Sequence, residues 1–179
     1  MSRTRFDRMN CGVAQALDQL GDWWTLLIVR DALLGATRFR DFESNLGIAK
    51  NVLSDRLAKL VQHGVLTRTR LDEPGHRYAY ELTRKGRELW ITITALRLWG
   101  DKWIFGEDAV PAKFRERSTG REVAGLVAVD AEGRRLDASD LEIVPGPGWP
   151  KRERLPDDTP WLSPRLKAGG RRARRKAEP

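Results

Sequence analysis

Residues 47–71, GIAKNVLSDRLAKLVQHGVLTRTRL, change periodicity partway along. Up to Gly64 the apolar residues fall at Leu53, Leu57, Leu60 and Val61, the spacing of one helical face. From Val65 onward side chains alternate instead, as on a strand with one face covered. The predicted helix, about 49–63, therefore buries a narrow stripe and leaves Lys50, Asn51, Ser54, Asp55 and Lys59 with no core to face. It then runs directly into a strand bearing Arg68 and Arg70.

Upstream, Thr37 can cap a helix in which Phe39, Phe42 and Leu46 sit at i, i+3 and i+7, and Gly47 makes the turn. Residues 37–63 thus read as helix, tight turn, helix. Before them, Val13, Ala14, Leu17 and Leu20 share a face of a short helix ended by Gly21. Asp22 can cap a second helix through Leu34, apolar almost all round and so expected to be buried, with Gly35 closing it. Downstream, YAYELT (78–83) alternates like 65–71, and DEPGHR between them holds the Pro-Gly of a turn, so 65–83 is a hairpin. Thr83 then caps a long helix with Leu89, Ile93, Leu96, Trp99 and Trp103 in one stripe. A helix–turn–helix followed by a hairpin and a long helix is the outline of a winged helix.

The expected fold class is mainly α with a small β hairpin: a winged helix–turn–helix domain, a small C-terminal β-containing extension and a disordered basic tail. The domain boundaries read as 1–106, 107–148 and 149–179. In the middle segment VAGLVAV (123–129) and LEIV (141–144) resemble two strands across the loop DAEGRRLDASD, of unassigned role. The last segment is a Pro/Gly-rich linker followed by an Arg/Lys/Ala/Gly tail with no periodicity.

The 179 residues suffice for one well-buried core with an appendage. The net charge of +8 is unevenly spread. Residues 1–103 hold 17 Lys and Arg against 12 Asp and Glu, 104–164 hold 9 against 12, and 165–179 hold 7 against 1. The high pI is largely the tail's, and such a tail can add non-specific DNA affinity or only solubility. A lone cysteine, Cys11, excludes an internal disulfide and suits a reducing, cytoplasmic setting. WWTLLIVRDALLG, broken by Arg30 and Asp31, is too short to span a bilayer, so no membrane association is expected. Two histidines, His63 and His76, and one cysteine form no metal-ligand spacing. No P-loop, GxGxxG or Ser–His–Asp order supports an enzyme, so neither catalytic residues nor cofactors are expected.

Several spaced elements occur together in one order: Cys11, LGDWWTLLI, RFRDF, GIAKNVLSDRL, HGVLTR and YELTRKG. In that combination residues 9–103 resemble the HxlR-type winged-helix transcriptional regulators of bacteria and archaea. The resemblance implies a homodimer that binds a two-fold related site on double-stranded DNA and controls nearby genes. The family commonly has Ser or Thr ahead of the recognition helix, whereas this chain has Ala49. Losing that cap costs about 0.5–2 kcal/mol of helix stability. Either Asn51 caps from inside, or DNA phosphate satisfies the amides on binding.

Within such a domain the second helix offers its N-terminal half to the major groove. Asn51 can pair with adenine, Lys50 can reach guanine or phosphate, and Ser54 can contact base or backbone. Asp55 repels phosphate, so it accepts from cytosine or orients Arg56, which is itself a candidate DNA contact. Arg68, Arg70 and Arg77 of the hairpin suit phosphates or a minor groove, or are ordinary strand-surface arginines. Arg38 and Arg40 could add phosphate contacts. Leu17, Leu89, Ile93, Leu96, Trp99 and Trp103 are the expected dimer interface, although tryptophans at this spacing could also line a small-molecule effector pocket. The resemblance carries a redox-switch role to Cys11, with an inert thiol as the alternative. A rival reading is a winged-helix protein-interaction module that does not read DNA, with Asp55, Glu73 and the acidic middle segment as its support.

Overall fold

The computed structural model describes residues 11–73, 76–106, 109–141 and 147, without the side chains of 72–77. Two compact units contain these residues, 11–127 and 128 onward. The first begins with four helices: α1 (Gly12–Leu20), α2 (Trp23–Leu33), α3 (Phe39–Leu46) and α4 (Lys50–Gln62). An antiparallel hairpin follows, β1 (Leu66–Glu73) and β2 (His76–Leu82), then α5 (Arg84–Glu88) and α6 (Trp90–Gly100).

Side-chain chemistry sets most of these boundaries. The Asp22 carboxylate accepts from the Thr25 amide (2.9 Å) and starts α2. Gly47, at φ 60°, ends α3 in the left-handed conformation that favours glycine, and the chain turns at once into α4. The Thr83 hydroxyl accepts from the Gly86 amide (3.1 Å) and donates to the Gly64 carbonyl (2.6 Å). One residue thereby starts α5 and ties it to the end of α4. Gly86 is needed for packing: a Cβ there would lie 2.2 Å from the Val65 carbonyl oxygen.

The core is where α2, α3, α4 and the hairpin base converge. Ile28, Val29, Phe42, Leu53, Leu57, Leu60, Val65 and Leu66 are essentially inaccessible. Each such side chain is worth about 1.5–3 kcal/mol of transfer free energy. The α4 residues among them are those the apolar spacing singled out, and Val61 packs against the cluster from its edge.

Several expectations need correction. Arg38, not Thr37, occupies the cap of α3, because residues 37–38 are held extended against β2. The Tyr80 amide donates to the Thr37 carbonyl (2.8 Å), and Asp41 reaches back to the Arg38 amide (2.9 Å). The second helix is not buried throughout: Trp23 at its start and Leu34, just past its end, are 78% and 73% exposed. The hairpin strands run beyond 71 and before 78, because a bulge between Arg70 and Glu73 lets pairing resume at Glu73 and His76.

The helix expected from Thr83 to Trp103 is interrupted at Leu89 and closes in a π turn (Asp101–Phe105) ended by Gly106, φ 77°. After it, residues 109–127 are largely irregular but anchored. Arg97 stacks over Phe114 (4.2 Å to the ring centre), donates to the Ala112 carbonyl (2.5 Å) and pairs with Asp101 (2.9 Å). In the second unit only β3 (Ala128–Val129) of the expected 123–129 strand forms, and it pairs with β4 (Arg135–Leu136). Asp130 makes that tight return possible by accepting from the Glu132 and Arg134 amides (3.1 and 2.8 Å). Of the other expected strand only Leu141 is described, outside any strand; of the residues after it only Pro147 is described, and the linker and tail lie outside the described residues.

Candidate nucleic-acid interface

Helix α4 presents two chemically distinct sides. Leu53, Leu57 and Leu60 are buried, while Lys50, Asn51, Ser54, Asp55, Ala58 and Gln62 are exposed. Its cap residue, Ala49, is extended (φ −62°, ψ 137°) and offers no side-chain acceptor, so the first-turn amides lack the usual cap. Lys50 stands 78% exposed and only loosely paired with Glu43 (3.7 Å).

Between α4 and the hairpin runs a groove of about 350 Å³, lined by Ser54, Ala58, Val61, Gln62, Arg68 and Tyr80. Strand register explains why Arg68 is there. Leu66 pairs with Leu82, Arg68 with Tyr80 and Arg70 with Tyr78, so these side chains share one hairpin face. Near the base that face is core; farther out it turns basic. Arg68 lies over the Tyr78 ring at 4.5 Å, a cation–π contact that orients it. Arg70 is exposed two residues on, while the Arg77 side chain lies outside the described residues.

Asp55 and Arg56 are not free ends. The Asp55 carboxylate accepts from Lys59 Nζ (2.8 Å) and from the Arg56 guanidinium. The hydrogen bond to Lys59, which desolvation opposes, together with the charges of Lys59 and Arg56 and the Arg56 hydrogen bond, holds its carboxyl below the ordinary value. Arg56, only 22% exposed, is also paired with Asp22 at the start of α2. Spacing along the sequence held no signal for this link, because the partners stand on different helices and Asp22 reads only as a cap.

The remaining candidates are dispersed. Arg38 is partly buried beside β2. Arg40 is exposed but lines a separate depression with Asp31, Asp41, Ser44 and Asn45, an acidic neighbourhood for a phosphate ligand. Cys11 is a partly exposed free thiol capping α1 through its backbone. Leu89 and Ile93 pack on their own core, whereas Leu96, Trp99 and Trp103 are 52%, 60% and 66% exposed. Leu17 is exposed too, together with Val13, Trp90, Ile104 and Phe105. Among the described residues there is no group able to hold a metal ion, and no helix long and apolar enough to cross a membrane.

A buried-backed helix with an open polar front, reached through a tight turn and flanked by an arginine-bearing hairpin, defines a winged helix–turn–helix protein. The chain belongs to the HxlR-like helix–turn–helix family, whose model matches residues 19–108. It is 35% identical over 137 residues to an uncharacterized HTH-type transcriptional regulator of Mycobacterium tuberculosis, covering 76% of this chain and 87% of that protein. It is 36% identical to the uncharacterized HTH-type transcriptional regulator YvaP of Bacillus subtilis over 50% of this chain and 84% of that one. Among solved structures, PA1607, described as a candidate transcription factor, matches with a TM-score of 0.73 and 40% identity, over 79% of this chain and 99% of its own.

Proposed function

We propose that this protein is a cytoplasmic, sequence-specific DNA-binding transcriptional regulator that acts as a homodimer. The observation that carries the reading is the outward display of Asn51 and Ser54 from a helix fixed behind by Leu53, Leu57 and Leu60. At 13 residues α4 is about 20 Å long, and the major groove accepts a helix. In this reading Asn51 and Ser54 meet base edges, Lys50 meets guanine or phosphate, and the uncapped amides of α4 meet a phosphate. Arg68, Arg70 and Arg77 lie along backbone or minor groove, where contacts position the protein without reading sequence. The relatives' description as HTH-type transcriptional regulators supports the same function.

Dimerisation accounts for the apolar residues displayed by α6 and its π turn. Leu96, Trp99, Trp103, Ile104 and Phe105 together exceed what a monomer usually leaves open. A second copy covering them by two-fold symmetry would supply a second α4, as recognition of two related half-sites requires. The domain reading follows: residues 1–106 bind DNA and dimerise, 107–148 form an extension, and 149–179 provide linker and basic tail.

Two measurements test this together. Sedimentation of the intact protein at micromolar concentration should give a dimer, and Trp99→Glu should give a folded monomer. Titration against duplex DNA should give an affinity that falls steeply with salt yet differs between sequences. A monomeric wild type removes the dimer. Absence of duplex binding removes the DNA reading in favour of a protein-docking winged helix.

A further inference from the structure

Among the described basic residues of α4, Arg56 is treated differently from Lys50. Lys50 is almost fully exposed, whereas the Arg56 guanidinium is held between two carboxylates. Its Nε faces Asp22 Oδ2 and its Nη1 faces Asp55 Oδ2, and the latter oxygen also takes Lys59 Nζ at 2.8 Å. The arginine and Asp22 are 22% and 21% exposed. This is a half-sheltered pair rather than one of the freely solvated pairs that contribute little.

Asp22 is itself immobilised. Its Oδ1 accepts from the Thr25 amide (2.9 Å) and lies 3.2 Å from the Thr25 hydroxyl, so the first turn of α2 fixes its direction. One carboxylate therefore caps α2 with one oxygen and grips α4 with the other. The partner it grips has the side chain best suited to bind phosphate at any sequence, a permanently charged fork with five donors.

We propose that Asp22 is a positioning residue that acts through Arg56, holding this arginine of the reading helix off the DNA backbone and thereby favouring specific over non-specific binding. The inference rests on the DNA-binding reading above. Each phosphate a protein neutralises adds affinity for every sequence alike. Discrimination is a difference of affinities, so withholding one such contact favours the sequence that Asn51 and Ser54 can read. The same clamp fixes the rotation of α4 about its axis, because it grips the flank between the buried leucines and the exposed front.

Asp22→Asn isolates the effect, since asparagine caps a helix about as well as aspartate. Two probes are used: a mixed-sequence duplex, and the duplex that the wild-type protein selects from a random library. With the mixed duplex, the slope of log affinity against log salt should steepen by about 0.9 in Asp22→Asn, and the ratio of selected to mixed affinity should fall. Adding Arg56→Gln should return the slope to the wild-type value. An unchanged slope and ratio in a folded Asp22→Asn overturns the proposal. So does a steepening that survives Arg56→Gln, because it then reflects only the removed negative charge.

Should Asp22→Asn fail to fold, Asp22→Ser keeps a capping oxygen without the charge and is read in the same way. Independently, the Arg56 side chain of the free protein should be rigid by NMR relaxation in the wild type and gain mobility without the Asp22 charge. Equal mobility in both overturns the clamp whatever the DNA result. A wild type that binds neither duplex overturns the DNA reading and this role with it, whereas clean wild-type binding with an indifferent Asp22→Asn overturns this role alone.

Discussion

Ala49 should be replaceable in two ways that move stability together and DNA binding apart. It stands at the cap of α4, extended, exposed and without an acceptor. Serine there places an oxygen within reach of the Asn51 or Val52 amide and should stabilise the protein by about 1 kcal/mol. For a unit of this size that raises Tm by roughly 3–6 °C. Aspartate should stabilise at least as much, because its charge also favours the positive end of the helix. In the complex, however, the carboxylate introduced by Ala49→Asp would face a phosphate. Two like charges about 5 Å apart repel by about 0.8 kcal/mol in water and about 3 kcal/mol at an effective dielectric of 20. Ala49→Asp should therefore weaken binding by roughly 4- to 150-fold, and Ala49→Ser far less. Urea unfolding followed by tryptophan fluorescence gives the first quantity, and anisotropy with the selected duplex gives the second. If Ala49→Asp binds as tightly as the wild type, the first turn of α4 does not face phosphate. If neither variant gains stability, the amides were not lacking a cap.

Other perturbations have equally definite outcomes. Asn51→Ala should cost about 1–3 kcal/mol on the selected duplex and relax preference at one base pair per half-site, as titration against single-base variants would reveal. Gly86→Ala should destabilise by about 3 kcal/mol in urea, at the upper end for overpacking, because the new methyl meets the Val65 carbonyl rather than a side chain that can move. The Asp55 carboxyl should titrate below its ordinary value of 3.8 by NMR, and Lys59→Met should move it back up. Since the folded pKa is the lower one, the pair's stabilisation is present above the unfolded value and is lost as pH falls through the folded value. Asp55 is half exposed, so that stabilisation should stay within about 1 kcal/mol.

Where the order of residues carries a local period or a capping chemistry, the fold was legible. Leu53, Leu57 and Leu60 repeat at helical spacing and are buried together; Asp22 and Thr83 cap as their side chains suggest. What depends on residues far apart was not. The extended backbone at 37–38 follows from pairing with Ala79, which moved the start of α3 from the residue that cap preference suggests. Leu89 and Ile93 belong to the same periodic stripe as Trp99 and Trp103, yet only the first two meet their own core. A helical period identifies a face but not how far along the helix a neighbour extends. The second hairpin was misjudged for a related reason: β3 and β4 are two residues each, too short for alternation to be seen, and Asp130 dictates the turn. In the candidate interface the exposed front of α4 was legible from its lack of apolar residues. The sequestration of Arg56 was not, because its main partner lies on another helix.

The central question is whether α4 reads sequence. Selection by the intact protein from a library of random duplexes, with the bound pool sequenced, measures this directly. The result expected is one enriched motif of two inverted half-sites, their centres about one helical turn apart or a multiple of it, as two α4 helices of a symmetric dimer require. A pool bound without enrichment over the input, or no bound pool at any salt concentration, would contradict it.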